Sequence, residues 1–173
     1  MTARHLRQAT GRRRRSDLPR GFTLVEMLVV LAIVAIIAGM VIPMVAGAGE
    51  MEALAAARAV AGDLQYAQNY AITHRDPVTV AFHPTGETYD LRSNQRGLLV
   101  HPMTKADYVV TFNAQSGYDQ VDLYAADFGG SASVTFDELG SPGSGGTVTV
   151  RGGAQVYLVE VTAVTGMVAV TAQ

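Results

Sequence analysis

The sequence predicts an α+β fold in which a long N-terminal helix packs against antiparallel β-sheets. Three observations predict it. No residue is charged from Met27 to Gly49, a run that includes Leu28-Val29-Val30-Leu31-Ala32-Ile33-Val34-Ala35-Ile36-Ile37. From Glu50 to about His74 small and apolar residues recur at helical spacings of three and four. After Pro77 the chain breaks into short runs of alternating apolar and polar residues, separated by Gly-rich turns.

Composition narrows the function classes. A length of 173 residues suits a single folded domain. A charged fraction of 16% is below the usual ~25%, which argues against a disordered chain or a nucleic-acid coat. With no Cys, disulfide scaffolds, Cys-ligated zinc, iron–sulfur clusters, thiol nucleophiles and lipid attachment at Cys are excluded. The formal net charge of −2 hides a segregated pattern. Residues 1–21 carry seven Arg against one Asp, while the other 152 carry six basic residues against fourteen acidic ones.

The uncharged run comes first in the argument because it sets the topology. About 20 apolar residues cross a bilayer as a helix, so the run reads as a membrane segment or a removable signal. Arg12 to Arg15 precede it and would stay on the cytoplasmic side, leaving the C-terminal part outside the inner membrane. Ala46-Gly47-Ala48 offers a small-residue cleavage site for an ordinary secretory signal. Two features oppose that reading: the run is longer than a signal h-region, and Glu26 interrupts its beginning. An acid at such depth is costly and usually has a functional partner.

Gly21-Phe22-Thr23-Leu24-Val25-Glu26, preceded by Arg20 and followed by the apolar helix, resembles the type IV prepilin signal. The resemblance implies that a prepilin peptidase cuts after Gly21 and methylates the new N-terminus at Phe22. The apolar helix would then remain as the anchor and later form the filament core. Cleavage would create an α-amino cation on Phe22 near the Glu26 carboxylate. An unpaired charge is costly at the edge of a low-dielectric phase, so a neighbouring subunit's amine is a natural partner for Glu26. Pro43 stands where many pilins carry a helix-bending proline. It lacks an amide hydrogen and frees the carbonyl of Gly39, so helix loosening between Gly39 and Pro43 is expected when helices pack.

Beyond the apolar run, Leu54, Ala57, Ala61, Leu64, Ala67 and Ala71 define an inward stripe. Arg58, Asp63, Gln65 and Asn69 fall off it. A mostly alanine stripe lets a sheet approach closely. Helix from Phe22 to His74 is expected to run roughly 80 Å at 1.5 Å per residue and to end at Pro77. Strands are expected at Val78–His83, Thr88–Arg92, Tyr108–Phe112, Ser133–Asp137, Thr147–Arg151, Val156–Val161 and Met167–Thr171. The run from Gly140 to Gly146 reads as a turn or loop, with no Lys and no following helix to make it a phosphate loop.

Arg58 to Phe82, with Leu64-Gln65-Tyr66-Ala67-Gln68-Asn69-Tyr70-Ala71-Ile72 and Val78-Thr79-Val80, resembles the GspH/FimT family. Phe136-Asp137 before Gly140 and Pro142, and the Val159–Val170 hairpin with Thr165-Gly166, match that family's later pattern. Members are minor pseudopilins of type II secretion and minor pilins of type IV pili. The resemblance implies a pilin-like fold with a basic leader over 1–21, a transmembrane and filament-core helix over 22–49, and a periplasmic domain over 50–173. In that domain the helix half covers about 50–74 and the β region about 75–173. It implies a structural role in a secretion pseudopilus, or in a type IV pilus as the alternative. The implied partners are prepilin peptidase, other minor and major pseudopilins or pilins, the inner-membrane assembly platform, and membrane lipid before assembly. The implied location is the bacterial inner membrane, single-pass, before incorporation into a filament.

Little else in the chain suggests chemistry. His5, His74, His83 and His101 lack zinc-motif spacing. Asp119, Asp122 and Asp127 could ligate calcium, but the alternating ligand pattern is missing and a solvated loop is favoured. Ser131, Ser133, Ser141 and Ser144 have no nucleophile-elbow context. Neither an enzyme nor a cofactor is expected. Uncharged Gly166-Met167-Val168-Ala169-Val170 and the acidic body also oppose DNA binding.

Overall fold

A computed structural model describes residues 21–112 and 117–173, with the side chains of 40–46 left aside. The described residues fall into two compact units, which divide between Met40 and Val41. The expected basic leader over 1–20, with Arg12 to Arg15 and His5, lies outside the described residues.

Helix α1 spans Leu24–Ala46. Its apolar residues are spread around the whole circumference, so Leu24, Leu28, Leu31, Ile33 and Ile36 all stand exposed. A helix apolar on every side needs an apolar surround. The backbone stays helical through Gly39 and Pro43. Helix α2 spans Ala48–His74, with Gly47 between the two helices. The expected unbroken helix from Phe22 to His74 is thus two helices, interrupted at Gly47. Among the described residues, no helix is long and apolar enough to cross a membrane. The α1 residues with described side chains, 24–39, extend about 24 Å at 1.5 Å per residue.

Among the described residues of the body, nine strands form two antiparallel sheets. Strands β1 (Val78–His83), β2 (Thr88–Ser93), β3 (Gly97–Leu98), β4 (Val109–Thr111) and β6 (Ser133–Phe136) make the first. Its order is β3-β2-β1-β6, with β4 also paired to β2. Strands β5 (Val121–Asp127), β7 (Gly146–Gly152), β8 (Gln155–Val161) and β9 (Val168–Ala172) make the second, in the order β5-β7-β8-β9. Helix α2 packs against both sheets, touching β1 and β6 of the first and all four strands of the second.

Period-two alternation explains how the strands meet α2. Val78, Val80 and Phe82 of β1, Val148 and Val150 of β7, and Val159 and Val161 of β8 all point into the core. Leu64 and Val60 of α2 are fully enclosed there with Tyr89, Leu91, Phe112, Leu123 and Phe136. The inward face of α2 is wider than the expected stripe because two sheets enclose it. Ala53, Ala56 and Val60 join the buried set, whereas Leu54 is only half-buried. Asp63, expected off the inward face, is half-buried against the first sheet.

Two strands escaped the sequence reading. β3 is only two residues long, too short for any period to show. In β5, Val121 and Leu123 point inward while Asp122 and Tyr124 point outward, and the register then shifts between Leu123 and Ala125. Such a bulge breaks strict alternation.

The C-terminus of α2 is fixed by Arg75, which adopts the left-handed conformation at φ 48 and donates its backbone N–H to Ala71. Buried Asp76 follows, accepting from Ser93 Oγ and from the Gln95 N–H at 3.2 Å. At a neighbouring turn, Gln68 Nε2 donates to Gly140 O at 2.8 Å and to Thr165 O at 3.0 Å. One side chain of α2 thereby ties the loop between β6 and β7 to the turn between β8 and β9.

Candidate functional site

The expected processing residues open α1. Gly21, Phe22 and Thr23 precede the helix, and Phe22 is 72% exposed. A Cβ built on Gly21 would meet no atom within 4 Å. Among the described residues, no contact requires glycine at this position.

Thr23 and Glu26 form a reciprocal pair across the first turn. The Glu26 N–H donates to Thr23 Oγ1 at 3.1 Å, and the Thr23 N–H donates to Glu26 Oε2 at 3.4 Å. This is a capping box, which satisfies two amide groups that a helix start leaves without partners. The carboxylate also faces the positive end of the helix dipole. Glu26 thus has a local role in addition to the expected intersubunit one. The Thr-x-x-Glu spacing was legible in the sequence as a capping signature, and Thr23 is the residue that reading missed.

Pro43 lies within α1, where its side chain is outside the described residues. In the isolated chain the backbone between Gly39 and Pro43 is helical, so any loosening there belongs to packed helices.

The three aspartates do not form one ligand set. Asp122 and Asp127 lie near opposite ends of β5, about 17 Å apart at 3.4 Å per residue. Asp127 Oδ1 accepts from the Gly130 N–H at 2.7 Å, closing a local turn. Among the described residues, no group of three or more His, Asp or Glu is arranged to hold a metal ion. The histidines are dispersed: His74 stacks on Tyr70 at 3.8 Å, His83 meets Asp90 at 2.9 Å, and His101 lies against Tyr108. Ser131 and Ser133 bond each other, and Ser144 donates to the Phe128 carbonyl.

A half-buried polar cluster in the body centres on Asp63. Tyr89 donates to Asp63 Oδ2 at 2.5 Å, and Tyr108 donates to Oδ1 at 3.0 Å. Burial raises the Asp63 pKa above the ordinary aspartate value, and the two phenol hydrogen bonds only partly oppose it. Burial, together with the Asp63 charge, raises both phenols as well. His101 lies against Tyr108 at the edge of this cluster, whose geometry joins α2 to the first sheet.

The family described as type II transport protein GspH matches residues 56–165. The chain belongs to the GspH family. The prokaryotic N-terminal methylation motif matches residues 19–42, over the start of α1. No curated protein matches the sequence. The fold is similar to that of the minor pseudopilin EpsH from the type 2 secretion system of Vibrio cholerae, at a TM-score of 0.53 and 13% identity. That likeness covers 70% of this chain and 97% of EpsH. The type IV minor pilin FimU of Pseudomonas aeruginosa is similar at a TM-score of 0.48 and 16% identity, covering 70% of this chain and 90% of FimU. This GspH-family chain accordingly has a pilin-like α+β fold, as its residues led one to expect. Its N-terminal motif implies peptidase processing and assembly with other pilin-like proteins.

Proposed function

We propose that this chain is a minor pseudopilin, a structural subunit of a type II secretion pseudopilus. The observation that carries the proposal is the co-occurrence of a GspH match over 56–165 with a methylation motif over 19–42. On this reading, residues 1–21 are a leader removed by prepilin peptidase after Gly21, and Phe22 becomes the methylated N-terminus. That a Cβ at Gly21 would meet no atom among the described residues fits a glycine selected by the peptidase and not by the fold.

Residues 22–49 then form a single inner-membrane anchor and later a filament core, and residues 50–173 form the periplasmic domain. The exposed apolar surface of α1 supports lipid before assembly and neighbouring helices afterward. Glu26 accepts the Phe22 amine of an adjacent subunit, and Pro43 loosens the helix in the packed state. The partners are prepilin peptidase, other minor and major pseudopilins, and the inner-membrane assembly platform. The dispersed titratable groups favour a scaffold over an enzyme.

Two measurements test this. Intact-mass analysis of the membrane fraction should find a chain beginning with methylated Phe22; a chain beginning at Gly49 would mean secretory cleavage. Deletion of the gene should abolish secretion of exported proteins and leave surface pili intact. Loss of pili with normal secretion would instead assign the chain to a type IV pilus.

A further inference from the structure

His101 holds a tight turn of the body through one ring nitrogen. Its Nδ1 accepts from the Met103 N–H at 3.2 Å and from the Thr104 N–H at 3.3 Å. Among the described residues neither amide has a backbone partner. The base of the turn is closed by the backbone. His101 N–H donates to Ala106 O at 2.8 Å, Lys105 N–H donates to His101 O at 3.0 Å, and Val100 pairs with Asp107. A nitrogen that accepts two N–H donors carries no proton of its own. The bonding therefore assigns the ring as neutral, with its hydrogen on Nε2.

No buried side chain restrains the tip. Residues 102–107 are all exposed, Met103 to 85%. Lys105 sits in the left-handed region at φ +60, where a residue with a Cβ is strained. Hydrogen bonds offset that strain, and two of them end on His101 Nδ1. The ring itself is seated, 4.6 Å from the ring of Tyr108, whose hydroxyl bonds Asp63 of α2.

Histidine is the side chain that ordinarily changes charge between about pH 5 and 8. A protonated imidazole has donors on both nitrogens and no acceptor. Protonation would thus set a third N–H against the two already aimed at Nδ1.

We propose that His101 is a pH-sensitive latch, which orders the 101–106 turn when neutral and releases its tip when protonated. The titratable and charged groups around it are Asp63 and Tyr66 on α2, Tyr108 beside the ring, and Lys105 and Asp107 in the turn. Lys105 and Asp107 cancel in formal charge. The Asp63 carboxylate attracts a charged ring, which keeps the ring against Tyr108 while the two amides lose their acceptor. The latch is closed at neutral and alkaline pH and opens on acidification. The His83–Asp90 contact has the opposite sense, because a charged imidazole strengthens it. Acidity thereby decides whether the surface carrying Met103 and Lys105 is rigid.

The test uses the full chain in detergent micelles, labelled with nitrogen-15 and titrated from about pH 8 to about pH 5. Ring nitrogen shifts report the tautomer and protonation of His101, and order parameters report fast backbone motion. At the alkaline end Nδ1 should be bare, and the Met103 and Thr104 amides should have order parameters of about 0.85. Both should fall below about 0.6 with the same midpoint as the ring signal. Tyr108, whose N–H donates to Leu99 O, should stay rigid throughout.

Two variants separate the latch from other titrations. His101→Asn offers a side-chain oxygen that does not titrate to the same amides, and should keep the turn ordered across the range. His101→Phe keeps a ring beside Tyr108 without an acceptor, and should leave the tip mobile across the range. Should either variant unfold, seen as lost order at Tyr108, the native titration still decides. Order at Met103 and Thr104 that survives protonation of His101 would overturn the proposal. A proton on Nδ1 at the alkaline end, or a ring still neutral at about pH 5, would overturn it as well. So would an ordered tip in His101→Phe. Loss of order in His101→Asn at the native midpoint would also do so, by assigning the change to another group. None of these outcomes depends on whether secretion or pili fail on deletion.

Discussion

Tyr89 of β2 donates its hydroxyl proton to Asp63 of α2 at 2.5 Å, across 26 residues of sequence. Tyr108 donates to the other carboxylate oxygen at 3.0 Å. The pair pins the middle of α2 to the first sheet beside the buried Val60 and Leu64. It also explains how an acid is tolerated beside Tyr66 and Tyr108 rings that lie 5.4 Å apart.

Tyr89→Phe should therefore destabilise the body with little change in packing. Removing one donor from a half-buried acceptor costs about 1–3 kcal/mol. Urea unfolding of the two chains should show a lower midpoint with an unchanged slope.

The pH dependence follows from the raised pKa of Asp63, caused first by burial. A carboxyl raised on folding makes the native state bind more protons than the unfolded state. Its contribution is fully present below the unfolded value of about 3.9 and is lost as pH rises to the folded value. Asp90 has the opposite sign. Its burial is outweighed by hydrogen bonds from Arg92 and His83, which lower its pKa, so its contribution is lost on acidification. Stability measured against pH should thus contain two opposed slopes. Asp63→Asn should remove the component that falls with rising pH and leave the Asp90 component in place.

Gly140 is required by both conformation and space. Its φ is +80, and a Cβ there would lie 2.6 Å from Ile72 Cδ1 and 3.2 Å from Gln68 Cγ. Gly140→Ala should cost about 1 kcal/mol from the left-handed backbone alone. It should cost more through displacement of Gln68, which also holds the 165 loop. Differential scanning calorimetry should show a lower Tm, and amide exchange should rise in both loops together.

The capping role of Glu26 and its proposed intersubunit role are tested in two variants. Glu26→Gln keeps an oxygen for the Thr23 N–H and loses the charge. Glu26→Leu loses both, with a capping cost of about 0.5–2 kcal/mol. Membrane insertion and cleavage should survive in both, since the span only becomes less polar. Incorporation should fail in both, because a partner amine left buried and unpaired costs about 3–5 kcal/mol. Co-purification with partner subunits is the readout. Normal incorporation of Glu26→Gln would reduce Glu26 to a helix cap.

Local features of this protein could be read directly from the sequence. The uncharged run, the Gly21–Glu26 signal, the α2 periodicity and seven of the nine strands each depend on neighbouring residues and on periods of 3.6 or 2. The family followed from the same features. Tertiary structure decided what depends on distant residues. That Asp63 turns toward Tyr89 and Tyr108 follows from two sheets enclosing α2, which widens its buried face beyond the alanine stripe. β5 was hidden because its outward acids resemble a loop and its bulge breaks the alternation. The separation of Asp122 from Asp127 appeared only once that segment was extended. The bonds of His101 were likewise invisible in sequence, because the turn that aims its ring at two amides depends on strand pairing at its base.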